Sequence, residues 1–159
     1  MSCTPSRTEP AALAVPQLVL DTNIVLDLYV FQDPATAPLR LALQHKRLHW
    51  IATPAMREEL ACVLAYPHIA RRQQRDASSQ PGQAADPLAW VLAHFDAQVS
   101  LVAPAAKARV TCRDPDDQKF IDLAVAHQAL LLSKDQAVLC MKKRLLALGV
   151  QALTAINLD

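Results

Sequence analysis

Four times after residue 16 a capping side chain stands directly before a proline: Asp33-Pro34, Thr53-Pro54, Asp86-Pro87 and Asp114-Pro115. The capping oxygen accepts from an orphan amide of the first turn. Proline at the first helical position gives up an N–H that would have had no partner, so each pair reads as a helix start. Between these starts lie short apolar runs, Gln17 to Leu20, Leu48 to Ala52, Val99 to Val102 and Leu130 to Ser133, with a weaker one from Gln151 to Leu153. Apolar runs of strand length that alternate with helices predict a parallel sheet buried on both faces. The fold class expected is α/β, a three-layer α/β/α domain with a central parallel sheet.

Hydrophobic residues make up 52% of the chain, enough for the core of one ordinary domain. Residues 1 to 16, with Pro5, Pro10 and Pro16 and no internal period, read as a flexible leader, which leaves 17 to 159 as the domain. The stretch Ala11 to Leu20 lacks the basic start and small-residue cleavage site of a secretion signal. No segment approaches the roughly 18 uncharged apolar residues of a membrane span. Cys3, Cys62, Cys112 and Cys140 lie far apart without a CxxC pair, which argues against a zinc knuckle or disulfide framework and fits a reducing cytoplasm. The net charge of +1 excludes a strongly basic nucleic-acid coat and leaves any anionic partner to local patches. With Gly82 and Gly149 as its only glycines, neither after a strand, the chain has no phosphate-cradling glycine loop, and a dinucleotide cofactor is not expected. The five histidines show neither ligand spacing nor a nucleophile beside them.

The acidic residues carry the functional signal. In a parallel α/β sheet the carboxyl ends of strands and the first turns of helices meet at one edge. Asp21 follows the first apolar run, Asp135 follows Leu130-Leu131-Leu132-Ser133-Lys134, and Glu58-Glu59 and Asp114 to Asp117 sit near two helix starts. Glu59 lies beside the apolar stripe of Met56, Leu60, Val63 and Leu64, with Glu58 about 100° round the helix. Both glutamates are alternatively solvated acids favoured by the helix dipole. Asp117 shares the packed side of Phe120, Leu123 and Ala124, whereas Asp116 faces away. Asp114 reads as the cap. Asp122, mid-helix at the margin of the stripe, is either an outer partner of the site or a solvated group. Asp27 and Asp33 read as surface or cap residues.

Carboxylates brought within a few ångströms repel one another unless a divalent cation offsets them, and an all-oxygen ligand set favours Mg²⁺ or Mn²⁺ over Zn²⁺. A metal so held suits hydrolysis of a phosphodiester. Acids at strand ends also occur in phosphatases, nucleotide-binding domains and receiver-like domains, so the residues alone leave those classes open. An aspartate-nucleophile phosphatase would phosphorylate Asp21 and wants a second acid two residues on, where Asn23 stands. A candidate nucleic-acid surface is the segment with Arg71, Arg72 and Arg75, followed by a loop-like stretch from Asp76 to Asp86; the other reading is a solvated helix end and linker. Lys142-Lys143-Arg144 reads as the exposed face of the last helix, over Met141, Leu145 and Leu148, and Trp50 and Trp90 read as core.

Four blocks, LVLDTNIVLD, TPAMREELACVL, DPDDQKFIDLAVA and ALLLSKDQAVL, occur in this order and together with their connections span Gln17 to Leu153. In that order they resemble the PIN domain family of metal-dependent ribonucleases, most closely its single-domain bacterial branch of toxins from toxin–antitoxin systems. The resemblance implies Asp21, Glu59, Asp117 and Asp135 as catalytic metal ligands for Mg²⁺ or Mn²⁺, and Asn23 as the residue that hydrogen-bonds and orients Asp21. It implies an RNA substrate, a cognate antitoxin encoded alongside, and a homodimer. Ser133-Lys134-Asp135 departs from the family's threonine-glycine-aspartate, so the glycine that lets backbone approach a site closely is absent. Ser133 is expected to offer its hydroxyl to a metal-bound water, and Lys134 to be a surface lysine or a phosphate contact. A degenerate PIN module that binds RNA or protein without cutting is the alternative.

Overall fold

The computed structural model of the chain describes residues 15–72 and 87–156. The leader up to residue 14, the capping Asp86 and Arg75 lie outside the described residues. The described chain runs β1 (Gln17–Leu20), α1 (Thr22–Tyr29), a 3₁₀ turn (Pro34–Thr36), α2 (Ala37–Gln44), β2 (His49–Ala52), α3 (Pro54–Leu64), α4 (Pro87–Gln98), β3 (Ser100–Leu101), α5 (Gln118–His127), β4 (Leu130–Leu132), α6 (Gln136–Leu139), α7 (Lys142–Ala147) and β5 (Ala152–Leu153). All strand pairings are parallel and the sheet order is β3-β2-β1-β4-β5. The expected α/β class with a central parallel sheet is what the chain adopts.

β1 lies at the centre, with Leu18 beside both Trp50 of β2 and Leu130 of β4. Leu18, Val19, Ile51, Leu131 and Leu132 are fully buried, because helices cover the sheet on both faces and leave no side of a central strand for water. Trp50 is buried against Tyr29 and Phe95, while Trp90 is half-buried and rests on the His94 ring at 4.1 Å. After β1 the chain winds outward through β2 and β3, then crosses back to place β4 on the other side of β1. The order therefore reverses between β1 and β4, which is where an open α/β sheet leaves a crevice at its carboxyl edge.

Two of the proline-marked starts carry the expected side-chain cap, Thr53 at the start of α3 and Asp33 at the 3₁₀ turn that precedes α2. Thr53 Oγ1 accepts from Met56 N at 3.4 Å, and Asp33 Oδ1 accepts from Ala35 N at 3.0 Å. The third differs: the helix expected from Pro115 begins at Gln118. Asp114 Oδ1 accepts from Asp116 N at 3.0 Å, so this cap closes a turn of its own before the α-helical bonds begin. α1 and α6 carry no proline signal, and their caps are Asp21 and Asp135. Among the described residues no helix is long and apolar enough to cross a membrane.

Candidate metal centre at the carboxyl edge of the sheet

Three aspartates meet where the strand order reverses. Asp21 leaves β1, its N–H bonded to Leu132 O of β4 at 3.0 Å. Asp135 follows β4, and Asp117 closes the turn before α5. One carboxylate oxygen from each of Asp21, Asp117 and Asp135 lies within 4.8 Å of the others. The same backbone events that end the strands aim these groups: Asp21 Oδ1 accepts from Asn23 N at 3.4 Å and Asp135 Oδ1 from Ala137 N at 2.9 Å, each capping the helix that follows.

Ser133 joins two of the three. Its hydroxyl donates to Asp21 Oδ2 at 2.7 Å and accepts from Asp135 N at 3.0 Å, and the side chain is buried. The Ser133 hydroxyl, expected to serve a metal-bound water, is engaged with both Asp21 and the Asp135 turn. The absent glycine turns out not to matter for backbone conformation at residue 134. Among the described non-glycine residues only Gln32, Lys46 and Gln128 have positive φ, so position 134 stays in a region open to any side chain.

The electrostatics are those of a site short of positive charge. Asp21 and Asp117 are 4% and 7% exposed, and Asp117 Oδ2 is buried without a hydrogen-bond partner. Burial pushes the Asp21 carboxyl above its ordinary value; the bonds from Ser133 and the Asn23 amide pull the other way, and the charges of Asp135 and Glu59 add to the rise. Asp117 is pushed up to about 7, by burial first, then by the Asp135 carboxyl beside it and the charges of Asp21, Asp135 and Asp114. An unpartnered buried carboxylate oxygen in an all-carboxylate cluster is a costly arrangement for a fold alone, and one that a hard divalent cation relieves. The three acids therefore fit such an ion.

Other expected site residues stand elsewhere. Glu59 is outside the three-acid set: Oε2 accepts from Thr22 Oγ1 at 2.5 Å, and Oε1 accepts from Lys119 Nζ at 2.8 Å. It faces the edge as its place on α3 predicts, with Glu58 exposed, but both its oxygens are already engaged. Asn23 contacts Asp21 through its backbone N–H rather than its side chain, which is exposed at the second position of α1. Asp122 Oδ1 accepts from Ala108 N at 2.8 Å and Gln118 Nε2 at 2.7 Å, so it pins the incoming loop to α5 and is not part of the acid cluster. Asp114 is a turn cap whose charge still reaches Asp117.

Lys134 does not extend freely from the surface. Its Nζ lies 2.5 Å from Asp27 Oδ2 and 3.3 Å from Asp33 Oδ2. Arg71 and Arg72 are exposed; Arg71 Nε donates to Pro67 O at 3.3 Å and the Arg72 guanidinium sits 5.5 Å above the Phe31 ring. Thr22 and Lys119 were missed from sequence. Each contacts Glu59 across at least 37 residues, a pairing that no local pattern announces.

No curated protein matches the sequence. A family model described as the PIN domain matches residues 17–137, which takes in β1, the three aspartates, Glu59 and the start of α6. PIN domains are in general nucleases, and the acid cluster is one that can bind metal. By its parallel sheet, its acidic edge and this match over most of its length, the chain belongs to the PIN domain family.

Proposed function

We propose that the chain is an endoribonuclease dependent on Mg²⁺ or Mn²⁺, with Asp21, Asp117 and Asp135 as the ligands of the ion. The observation that carries this reading is the buried, unpartnered Asp117 Oδ2 facing two further carboxylates, in a chain of a nuclease family. A bound divalent ion supplies positive charge to a phosphoryl group and lowers the pKa of a water molecule. The protein's own part is positional. Ser133 and the Asn23 amide hold Asp21 in one orientation, the Ala137 amide holds Asp135, and burial keeps the Asp117 carboxyl in a medium where charge interactions are strong. Asp117 must give up any proton before it can serve as a ligand.

RNA is favoured as the substrate, and a cognate antitoxin as partner, by the resemblance of the ordered blocks to single-domain PIN toxins. Expression of the chain alone would then arrest growth, and co-expression of the reading frame beside it would relieve the arrest. The engagement of Glu59 by Lys119 favours a second reading, a module that binds RNA without cutting it. One experiment separates the two. Purified protein should cleave single-stranded RNA with Mg²⁺ or Mn²⁺, stop in chelator, and lose at least about 100-fold in rate as Asp21→Asn, the scale of losing a principal charge-stabilising group. Undiminished cleavage in chelator or in Asp21→Asn would sink the metal-dependent mechanism. RNA binding that is equal with and without chelator, with no cleavage, would favour the binding module.

A further inference from the structure

We infer that Lys119 is a built-in cation that takes the place of a second divalent ion beside Glu59, so that the acidic edge is a one-metal centre. This deepens the metal-dependent reading above and rests on it. Glu59 projects from α3 at the rim of the three-aspartate cluster, close enough that its charge acts on Asp21. Thr22, which follows Asp21 directly and is buried, donates its hydroxyl to Glu59 Oε2 and so fixes the carboxylate beside the centre. The other oxygen is taken by Lys119 Nζ at 2.8 Å.

The ammonium is itself anchored. Its Nζ donates to Asp116 O at 2.8 Å and lies 5.0 Å from the centroid of the Phe120 ring, so it is held between the turn that precedes α5 and the first turn of that helix. Asp117, the acid with the unpartnered oxygen, belongs to that same turn. Lys119 thus follows one ligand, Asp117, by two residues and ion-pairs with Glu59, whose charge reaches another, Asp21. Two-metal phosphodiesterase sites place their ions about 3.5 to 4 Å apart and need carboxylates on both sides of the pair. Here the three aspartates can serve one ion, and the acid that would hold the second already has an internal cation. A divalent ion at Glu59 would have to displace the ammonium or stand against its charge.

Counting Mn²⁺ on the full chain tests this without any activity assay. Isothermal titration with MnCl₂, checked by the electron paramagnetic resonance of the free ion, should give one ion per wild-type chain. Lys119→Met keeps the apolar stem and removes the charge, and should give two. Lys119→Arg retains the cation and should remain at one, and the double variant Lys119→Met/Glu59→Gln should return to one, which places the added ion on Glu59. Circular dichroism melting confirms that each variant is folded. Two ions on the wild type would overturn the inference and leave the metal-dependent reading standing, as would a single ion on folded Lys119→Met. No Mn²⁺ on any of the proteins would overturn both.

Discussion

The tripeptide Ser133-Lys134-Asp135 separates two acidic regions that the fold treats in opposite ways. Outward, Lys134 ion-pairs with Asp27 and Asp33, and the Asp33 carboxyl is held below its ordinary value by the Ala35 amide and then by the lysine. Inward, Ser133 and Asp135 join Asp21 and Asp117, two carboxyls held above their ordinary value. None of the ion pairs among the described residues involves Asp21, Asp117 or Asp135. An acid whose charge is met by a lysine and an amide belongs to the architecture. An acid that is buried among other acids, with an oxygen left over, is held ready for a cation that the chain does not itself provide.

The largest expected effect on this contrast is the loss of cleavage in Asp21→Asn. Next comes Ser133→Ala. It removes the hydroxyl that orients Asp21 and draws its pKa down, so Mn²⁺ affinity should fall by about 10- to 100-fold, the usual cost of losing an outer hydrogen bond to a metal ligand. Because Asp21 would then hold its proton more tightly, titrations at several pH values should also show half-maximal binding moving to higher pH. Unchanged affinity at every pH would mean that Ser133 serves the loop and not the centre. The smallest effect belongs to the outer region. Lys134→Ala removes the cation paired with Asp33 and with Asp27, whose side chain is only 14% exposed, so it should lower stability by about 1–3 kcal/mol while changing Mn²⁺ affinity little. A tenfold loss of affinity there would erase the distinction between the two regions and make Lys134 a positioning residue.

Much of this was legible in the sequence, and the misses have physical causes. The apolar runs locate every strand among the described residues to within a residue or so; β1, β2 and β4 need uninterrupted apolar sequence because they are buried on both faces, whereas both residues of the edge strand β3 are exposed. Proline pairs located α2 and α3 because proline at a helix start is both sterically suited and free of hydrogen-bond cost. α1 and α6 escaped because their caps are Asp21 and Asp135 themselves; a residue read as a strand-end ligand also opens a helix. Asp117 and Asp122 lie near the same helix stripe, and periodicity left the role of Asp122 open. What separates them is the loop that returns Ala108 to Asp122, while Asp117 Oδ2 stays buried without a partner. The place of Glu59 on its helix was readable, but its pairing with Lys119, 60 residues away, was not.

If the inner acids are strained by their own charge and relieved by a metal, the melting of Asp117→Asn with and without Mn²⁺ will show it. With a folded-state pKa of about 7 against an ordinary 3.8, Asp117 binds its proton more tightly in the native chain than in the unfolded one. The wild type therefore loses stability as pH rises from about 4 through 7, a loss that the asparagine variant does not share. Without metal, Asp117→Asn should melt higher than wild type at pH 8, with the gap shrinking toward pH 4. Mn²⁺ at pH 8 should then raise the wild type by mass action, about 2.7 kcal/mol at a hundredfold excess over the dissociation constant, and scarcely move the variant. If the variant melts no higher than wild type without metal at pH 8, and both shift equally on adding Mn²⁺, the three aspartates do not form a metal centre.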